Sequence, residues 1–267
     1  MFFFVLGNTY SQFYYNDIVS LRESNRIYLT LKKNNIRGVS ATSMESDNTP
    51  TQGFAYNKEI KNNGSFIITH TELASSGASD TYEDYTNDRL TRSTDSSFNV
   101  NTKIQYQYDQ QGNISSIETL TDDTSRHVSS TEIHKWFYTG NTPDSMLRIK
   151  ENTDTTIIHF KKDEKQNIIE EIWTKKGKMI EHYYYYYNDQ SQLTDIVRFN
   201  SKAKQMLPDF LFQYDANGII SQMTQVPEGS SDYVIWQYLY DDRGLKIKDV
   251  LFDKHQELLG TVTYSYQ

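Results

Sequence analysis

The chain is 267 residues long, carries a formal net charge of −8 and contains no cysteine. These properties exclude disulfides, thiolate metal ligands and cysteine nucleophiles, and the acidic balance argues against a nucleic-acid-binding protein. Only 36% of the residues are hydrophobic, but 14% are aromatic, with 21 tyrosines, which is typical of half-buried β-strands rather than disordered chain.

The first predicted element is an export signal. The stretch "MFFFVLGNTYSQ" has a short apolar run and then small and polar residues, and it resembles the second half of a signal peptide. We expect cleavage after Ser11, which leaves one domain over residues 12–267 in an extracytoplasmic location: the periplasm, the outer-membrane surface or the medium. A basic segment is missing, and the alternative is that Phe2 to Leu6 form a β-strand. No segment approaches the ~18 apolar residues of a transmembrane helix, so no integral span is expected.

An internal repeat organises the rest of the chain. Tyrosine is followed by Asp or Asn, two variable positions, Gly (once Ser191) and an aliphatic residue in "IQYQYDQQGNISSI", "YYYYYNDQSQLTDI", "FLFQYDANGIISQM" and "WQYLYDDRGLKIKD". The chain ends in "TVTYSYQ", which matches the first strand of another copy. The period is about 26 residues, within the ~20–50 residues of repeat architectures. Degenerate copies occur near Leu31, Ile60, Tyr85, Tyr138 and Lys162.

Each copy is predicted to form a β-hairpin, because apolar and polar residues alternate before the tyrosine. The Asp or Asn side chain can accept hydrogen bonds from turn amides, and glycine can adopt a positive φ. We find no convincing helix, and predict an all-β fold in which about nine antiparallel hairpins form one continuous sheet, twisted or curled on itself. The predicted turn residues are Tyr108, Asp109, Gly112, Tyr187, Asn188, Tyr214, Asp215, Gly218, Tyr240, Asp241 and Gly244.

Three of these turns, "YDQQGNI", "YDANGII" and "YDDRGLK", resemble the tyrosine–aspartate (YD) repeat of RHS-type proteins, in which arginine follows the glycine. Here Asn113, Ile219 and Leu245 stand at that position, and the repeat is longer than in the family. The resemblance covers about residues 20–267 and implies a hairpin array outside a bacterial cell. RHS shells enclose a toxin domain; this sequence has none, and we expect too few repeats to close such a shell. The whole chain also resembles uncharacterised exported repeat proteins of Gram-negative bacteria.

Strand alternation divides the predicted sheet into two faces. The face that carries the repeated tyrosines is aromatic in nearly every copy and is the predicted core. The other face is polar at the ends of the array and more apolar over about residues 157–211, where Tyr184, Tyr186 and His159 are the candidate ligand-binding residues. They form either a concave platform for a glycan or peptide, or a second small core covered by the curled sheet or a connection.

The sequence contains no motif that assigns a reaction. Histidine pairs, a nucleophile elbow and a phosphate loop are missing, and carboxylate pairs such as Asp122 and Asp123 fall in predicted connections. We therefore predict no catalytic residue, metal or cofactor, and a non-catalytic envelope protein with a binding or scaffold role. Its partner is a glycan, a peptide or an envelope protein. The alternatives are an outer-membrane β-barrel and a hydrolase of unknown type. An open edge at Thr261 to Gln267 further predicts self-association.

Overall fold

The computed structural model describes residues 12–200, 204–227 and 232–267. The predicted signal peptide at residues 1–11 lies outside this part of the chain. A π-helical turn (Tyr14–Val19) continues into helix α1 (Ser20–Lys33), and a short 3-10 turn (Asn62–Gly64) connects two strands. The strands are β1 (Gly38–Glu45), β2 (Ala55–Lys61), β3 (Phe66–Leu73), β4 (Gly77–Thr86), β5 (Arg89–Ser97), β6 (Val100–Tyr108), β7 (Ile114–Asp123), β8 (Val128–Thr139), β9 (Thr142–Lys150), β10 (Asp154–Lys162), β11 (Ile168–Lys175), β12 (Lys178–Tyr187), β13 (Leu193–Asn200), β14 (Gln205–Tyr214), β15 (Ile220–Gln225), β16 (Val234–Tyr240), β17 (Lys246–Asp253) and β18 (Leu258–Tyr266).

The eighteen strands form one closed antiparallel barrel. Each strand pairs with the next along the chain, and β1 also pairs with β18, from Val39 opposite Tyr266 to Glu45 opposite Gly260. The all-β, antiparallel prediction is confirmed, but the sheet is a closed barrel rather than the predicted continuous twisted or curled sheet, because β1 completes the final half-repeat and closes it. The edge at Thr261–Gln267 is therefore paired, and the predicted basis for self-association is removed.

Helix α1 lies inside the barrel. Tyr28 stacks on Tyr85 of β4 at 3.9 Å, Phe13 just before the helix stacks on Trp173 of β11 at 4.5 Å, and Arg26 lies over a tyrosine of β16. An external helix contacts neighbouring strands only, whereas β4, β11 and β16 are spread around the circumference. The expectation of no helix was wrong, and so was the hairpin near Leu31, which lies within α1.

The missing helix signal has a physical reason. No side-chain hydrogen bond from a neighbouring residue caps the π-helical turn or α1. The first main-chain N–H groups, those of Phe13 and Tyr14, instead donate to Glu171 of β11 at 2.9 and 3.0 Å. A helix start is normally recognised by a local Ser, Thr, Asp or Asn cap, and this one receives its acceptor from a distant strand.

The repeated tyrosine face lines the lumen and packs against the helix. Tyr183 and Tyr185 are almost fully buried, and Trp136 stacks on Phe160 at 5.3 Å. These rings belong to the largest buried cluster, which also includes Phe13 at the start of the helix. Burying one aromatic side chain removes about 150–250 Å² from water, so this cluster contributes much of the apolar burial of the fold.

The repeats are connected by hydroxyl groups that the alternation pattern alone does not reveal. We call the residue at the repeated tyrosine position the anchor of its hairpin; this residue is Tyr85 in β4 and Lys162 in β10. Five anchor tyrosines donate a hydroxyl hydrogen bond to the main-chain carbonyl of the residue that is paired with the anchor of the preceding hairpin. The bonds are Tyr108 to Leu90 (2.8 Å), Tyr187 to Ile168 (2.8 Å), Tyr214 to Leu193 (2.7 Å), Tyr240 to Ile220 (3.2 Å) and Tyr266 to Lys246 (2.6 Å).

A register shift recurs immediately before the anchor position of these hairpins. It lies between Gln107 and Tyr108 in one hairpin and between Gln213 and Tyr214 in another. Such β-bulges bend a strand and increase its twist. Repetition of the same bulge around the sheet provides the curvature that brings β18 to β1, and nine units suffice to close a barrel around one helix.

Candidate functional site

The predicted turn residues lie together at one end of the barrel, the turn end, which is formed by the loops that follow each anchor tyrosine. In three loops the first aspartate accepts a hydrogen bond from the main-chain N–H four residues later, and Asn188 does the same at 3.0 Å. The three glycines have φ of +88°, +76° and +78°, a region that glycine adopts without strain. The residues are Asp109, Asp215 and Asp241, followed by Gly112, Gly218 and Gly244.

The three candidate ligand residues all face outward. The Tyr186 side chain is 52% exposed, His159 is exposed and Tyr184 is half-buried. They lie on the convex outside of a closed barrel, so neither the concave platform nor the covered second core is present. His159 is separated from the two tyrosines by strand β11, where Ile172 is its direct neighbour.

Tyr184 belongs to a hydrogen-bonded row across three strands. Its hydroxyl is hydrogen-bonded to Nδ1 of His182 at 3.2 Å, and the two rings stack at 4.2 Å. Nε2 of His182 contacts Glu170 at 2.8 Å, and Glu170 accepts from Lys161 at 3.0 Å. The row combines an aromatic surface with hydrogen-bonding groups of both charges, an arrangement suited to a sugar or a peptide backbone.

A second set of polar residues, which sequence reasoning did not select, lies in the lumen. Glu171 is fully buried, and its carboxylate accepts hydrogen bonds from the Tyr185 hydroxyl at 2.6 Å and the Trp173 indole at 2.7 Å. It also accepts from two main-chain N–H groups at the start of the helix segment, which comprises Phe13, the π-helical turn and α1. Burial raises the pKa of Glu171 to about 7 despite these donors. The sequence contained one signal for Glu171: strand alternation places its carboxylate on the face that carries the repeated tyrosines.

His134 connects the helix segment to strands β8 and β9. Its Nδ1 lies 2.6 Å from Asp17, its Nε2 lies 2.8 Å from Glu132, and Arg148 donates to Glu132 at 2.9 Å. Burial opposes a charge on this imidazole, but Asp17 and Glu132 outweigh it and raise the pKa of His134 to about 9. The four residues therefore form a charged, hydrogen-bonded chain that holds the helix to the wall.

A third contact fixes the beginning of the described chain. The Gln12 amide donates to Asp209 at 2.6 Å, and Arg198 donates to the other oxygen of that carboxylate at 3.0 Å. Like Glu171 and His134, this group joins the N-terminal segment to the barrel wall. Each of the three groups centred on Glu171, His134 and Asp209 therefore has hydrogen-bond partners on both the N-terminal segment and the wall.

Neither a metal site nor a membrane-spanning helix is present among the described residues. Within residues 12–200, 204–227 and 232–267, no group of three or more His, Asp or Glu residues is placed to hold a metal ion. No helix in the same part of the chain is long and apolar enough to cross a membrane.

No family model matches the chain, and no curated protein matches it. Among solved structures, it is similar to a porin-like protein from Bacteroides uniformis (9% identity, 87% of this chain, 98% of that chain, TM-score 0.39). It is also similar to the Photorhabdus luminescens Tc holotoxin pore (12% identity, 80% and 12% of the chains, TM-score 0.35) and to a porin-like protein from Bacteroides vulgatus (11% identity, 87% and 98%, TM-score 0.32). These similarities concern the fold and identify no ligand, reaction or family.

Proposed function

We propose that this chain is a non-catalytic β-barrel protein of the bacterial cell envelope that binds a partner through its outer face. The barrel wall is assembled from YD-type hairpins, and its N-terminal helix fills part of the lumen. The proposal includes an extracytoplasmic location, to which the signal-like N-terminal sequence gives support. The predicted partner is a glycan, a peptide or an envelope protein.

The observation that carries this proposal is the uneven outer face. Charged, amide and hydroxyl side chains occupy almost every outward position of β5 to β7. From β8 to β14, apolar side chains form an outward patch, here named the apolar sector. Large apolar groups on one side of a soluble surface mark an interaction site. The sector comprises Phe137, Leu147, Ile149, Ile157, Ile172, Tyr184, Tyr186, Val197 and Leu211.

Substitution of Tyr186 and Tyr184 by serine tests the binding role. Because Tyr186 is half exposed, we expect its replacement to change the free energy of unfolding by less than about 0.5 kcal/mol. Binding to a glycan array or to immobilised peptidoglycan fragments is expected to fall. Leu239→Ser, at an exposed outward position of β16 outside the apolar sector, is the matched control. Equal binding of all variants would show that the two tyrosines are not part of the binding site.

An outer-membrane β-barrel is the second candidate, and the closure of the eighteen strands is the observation that favours it. Such a barrel needs an apolar, lipid-facing band ~25 Å tall around its whole circumference. Arg92, Lys103, Gln105 and Glu118 occupy outward positions of β5 to β7, where that band would run. We therefore rank the water-facing barrel first.

Membrane fractionation separates the two candidates. A water-facing barrel is expected to be released from cell membranes by alkaline carbonate and to remain monodisperse without detergent. Retention in the washed membrane pellet and a requirement for detergent would establish the outer-membrane barrel instead. A screen with glycoside and peptide substrates tests the non-catalytic part of the proposal, and turnover lost in a carboxylate variant would overturn it.

A further inference from the structure

The end of the barrel opposite the turn end, here named the link end, carries exposed apolar side chains. Met179 and Ile180 begin β12, Phe199 lies near the end of β13 and Met206 near the start of β14, and all four are between 42% and 64% exposed. Phe199 pairs directly with Met206, and β12, which carries Met179 and Ile180, pairs with β13, so the four residues lie at the same end of three consecutive strands. We name them the tip cluster.

Lysines surround the tip cluster. Lys176 lies in the tight connection between β11 and β12, Lys178 is the first residue of β12, and Lys204 immediately precedes β14. Lys175 pairs with Asp154 at 2.7 Å, but the other three lysines form no ion pair with the described residues. The same end of the barrel therefore combines exposed apolar groups with three lysines that form no direct ion pair with the described residues.

The turn end has a different character. Its loops read "DQQGN", "DEKQN", "NDQSQ", "DANG" and "DDRG", and they contain polar side chains almost throughout. The two ends of the barrel thus differ in apolar exposure and in charge. This asymmetry would orient the barrel at a surface, because the link end places the tip cluster and the three lysines together, whereas the turn-end loops named above are polar.

We propose that the link end docks on an anionic lipid surface, with the tip cluster in the membrane interface and the lysines at the phosphates. Phenylalanine, isoleucine and methionine enter the headgroup boundary favourably, and basic residues strengthen binding to anionic lipid. One lysine near such a surface is worth about fivefold in affinity. This contact is peripheral and does not depend on a ligand for the apolar sector.

Co-sedimentation of the full chain with lipid vesicles tests the proposal. We expect binding to phosphatidylglycerol vesicles, weakening with added salt, and little binding to phosphatidylcholine vesicles. The variant with Met179→Ser, Ile180→Ser, Phe199→Ser and Met206→Ser is expected to bind at least about tenfold more weakly. The control variant Phe137→Ser with Leu239→Ser changes outward apolar residues near the turn end and is expected to bind like the unmodified protein.

Other outcomes overturn the lipid proposal. These are no binding to phosphatidylglycerol vesicles, equal binding of the tip-cluster variant, or a dimer in solution that the tip-cluster variant converts to monomers. Should the serine variant fail to fold by circular dichroism, Lys176→Glu with Lys178→Glu provides the same test without touching an apolar residue. Glycan binding through Tyr186 is measured without vesicles, so failure of one proposal leaves the other distinguishable.

Discussion

Glu171 is a buried carboxylate that provides the acceptor for the start of the helix segment. Replacement by glutamine keeps the size of the side chain but places an amide donor against groups that are themselves donors. We expect Glu171→Gln to lower the free energy of unfolding by about 1–3 kcal/mol, the cost of unsatisfied buried polar groups. Urea denaturation measures this change.

The adjacent residue provides a control for that variant. Glu170 faces outward and pairs with Lys161 and His182 near solvent. Such partly exposed pairs contribute little, so Glu170→Gln is expected to cost less than about 1 kcal/mol. Similar losses for the two variants would show that the acceptor role of Glu171 is not what stabilises the fold.

The charge on His134 makes stability depend on pH. Its pKa is raised from 6.5 to about 9 in the folded protein, so the folded state holds the proton more tightly than the unfolded chain. The resulting stabilisation is complete below pH 6.5 and is lost as the pH rises through about 9, on the order of 3 kcal/mol in total. Glu171, with its pKa raised to about 7, acts in the same direction as the pH rises through 7.

Urea unfolding of the protein and of His134→Gln at about pH 6 and about pH 9.5 checks this expectation. Groups that titrate in both proteins cancel in the comparison. The stability difference between the two proteins is expected to shrink at the higher pH. A difference that does not change with pH would mean that His134 is already neutral at pH 6.

At the residue scale, the sequence predicted which face a side chain lies on better than it predicted its partner. Alternation places Tyr183, Tyr185 and Glu171 on one face, and the structure has all three in the lumen. The partners of Glu171 were not predictable, because two of them are main-chain groups of a helix segment that has no local cap. Likewise, the outward position of Tyr186 followed from the pattern, but its convex surroundings depend on closure.

At the scale of single elements, the anchor tyrosines join each hairpin to the one before it. Tyr214→Phe removes only the hydroxyl that donates to Leu193, so we expect a loss of about 1 kcal/mol, measured by thermal or urea unfolding. Tyr186→Phe is the matched control, since that hydroxyl lies on the exposed outer face. Equal effects of the two substitutions would argue against the inter-hairpin bond as a source of stability.

The helix is the element in which sequence reasoning failed. Tyr28 is buried against Tyr85 and donates to Asp88 at 3.0 Å, so the helix depends on tertiary contacts. We expect Tyr28→Ala to destabilise the protein by about 3–5 kcal/mol, the range for buried aromatic truncation. Leu29→Ala, at an exposed neighbouring position, is expected to cost far less. Urea denaturation of both variants measures the difference.

At the scale of the whole molecule, eight of the predicted hairpins are present, from β2 with β3 to β16 with β17, and β18 paired with β1 forms the ninth unit in place of the hairpin expected near Leu31. Closure was not predictable in the same way, because β1 has no anchor tyrosine and was not recognised as the partner of the final half-repeat. Whether the sheet closes also depends on the twist added by every bulge together, which no single repeat reveals.

A proline in β18 tests the contribution of closure. Thr263 pairs with Thr42 of β1 and with Lys248 of β17. Thr263→Pro removes a strand N–H, and we expect a loss of about 3 kcal/mol or more together with oligomers in size-exclusion chromatography, because two edges become available. Thr263→Val keeps the N–H and the branched side chain and is expected to remain monomeric. A stable monomer of the proline variant would contradict this role of β18.

The pairing of the first strand with the last also constrains how the chain folds during synthesis. Val39 of β1 can pair with Tyr266 of β18 only after the last strand has been synthesised. The barrel therefore cannot close around the helix before the final strand has left the ribosome. Contacts between such distant residues fold slowly and leave edges exposed in the meantime. Until β1 and β18 pair, these open edges are available to other chains, so the unclosed barrel is the form most exposed to aggregation.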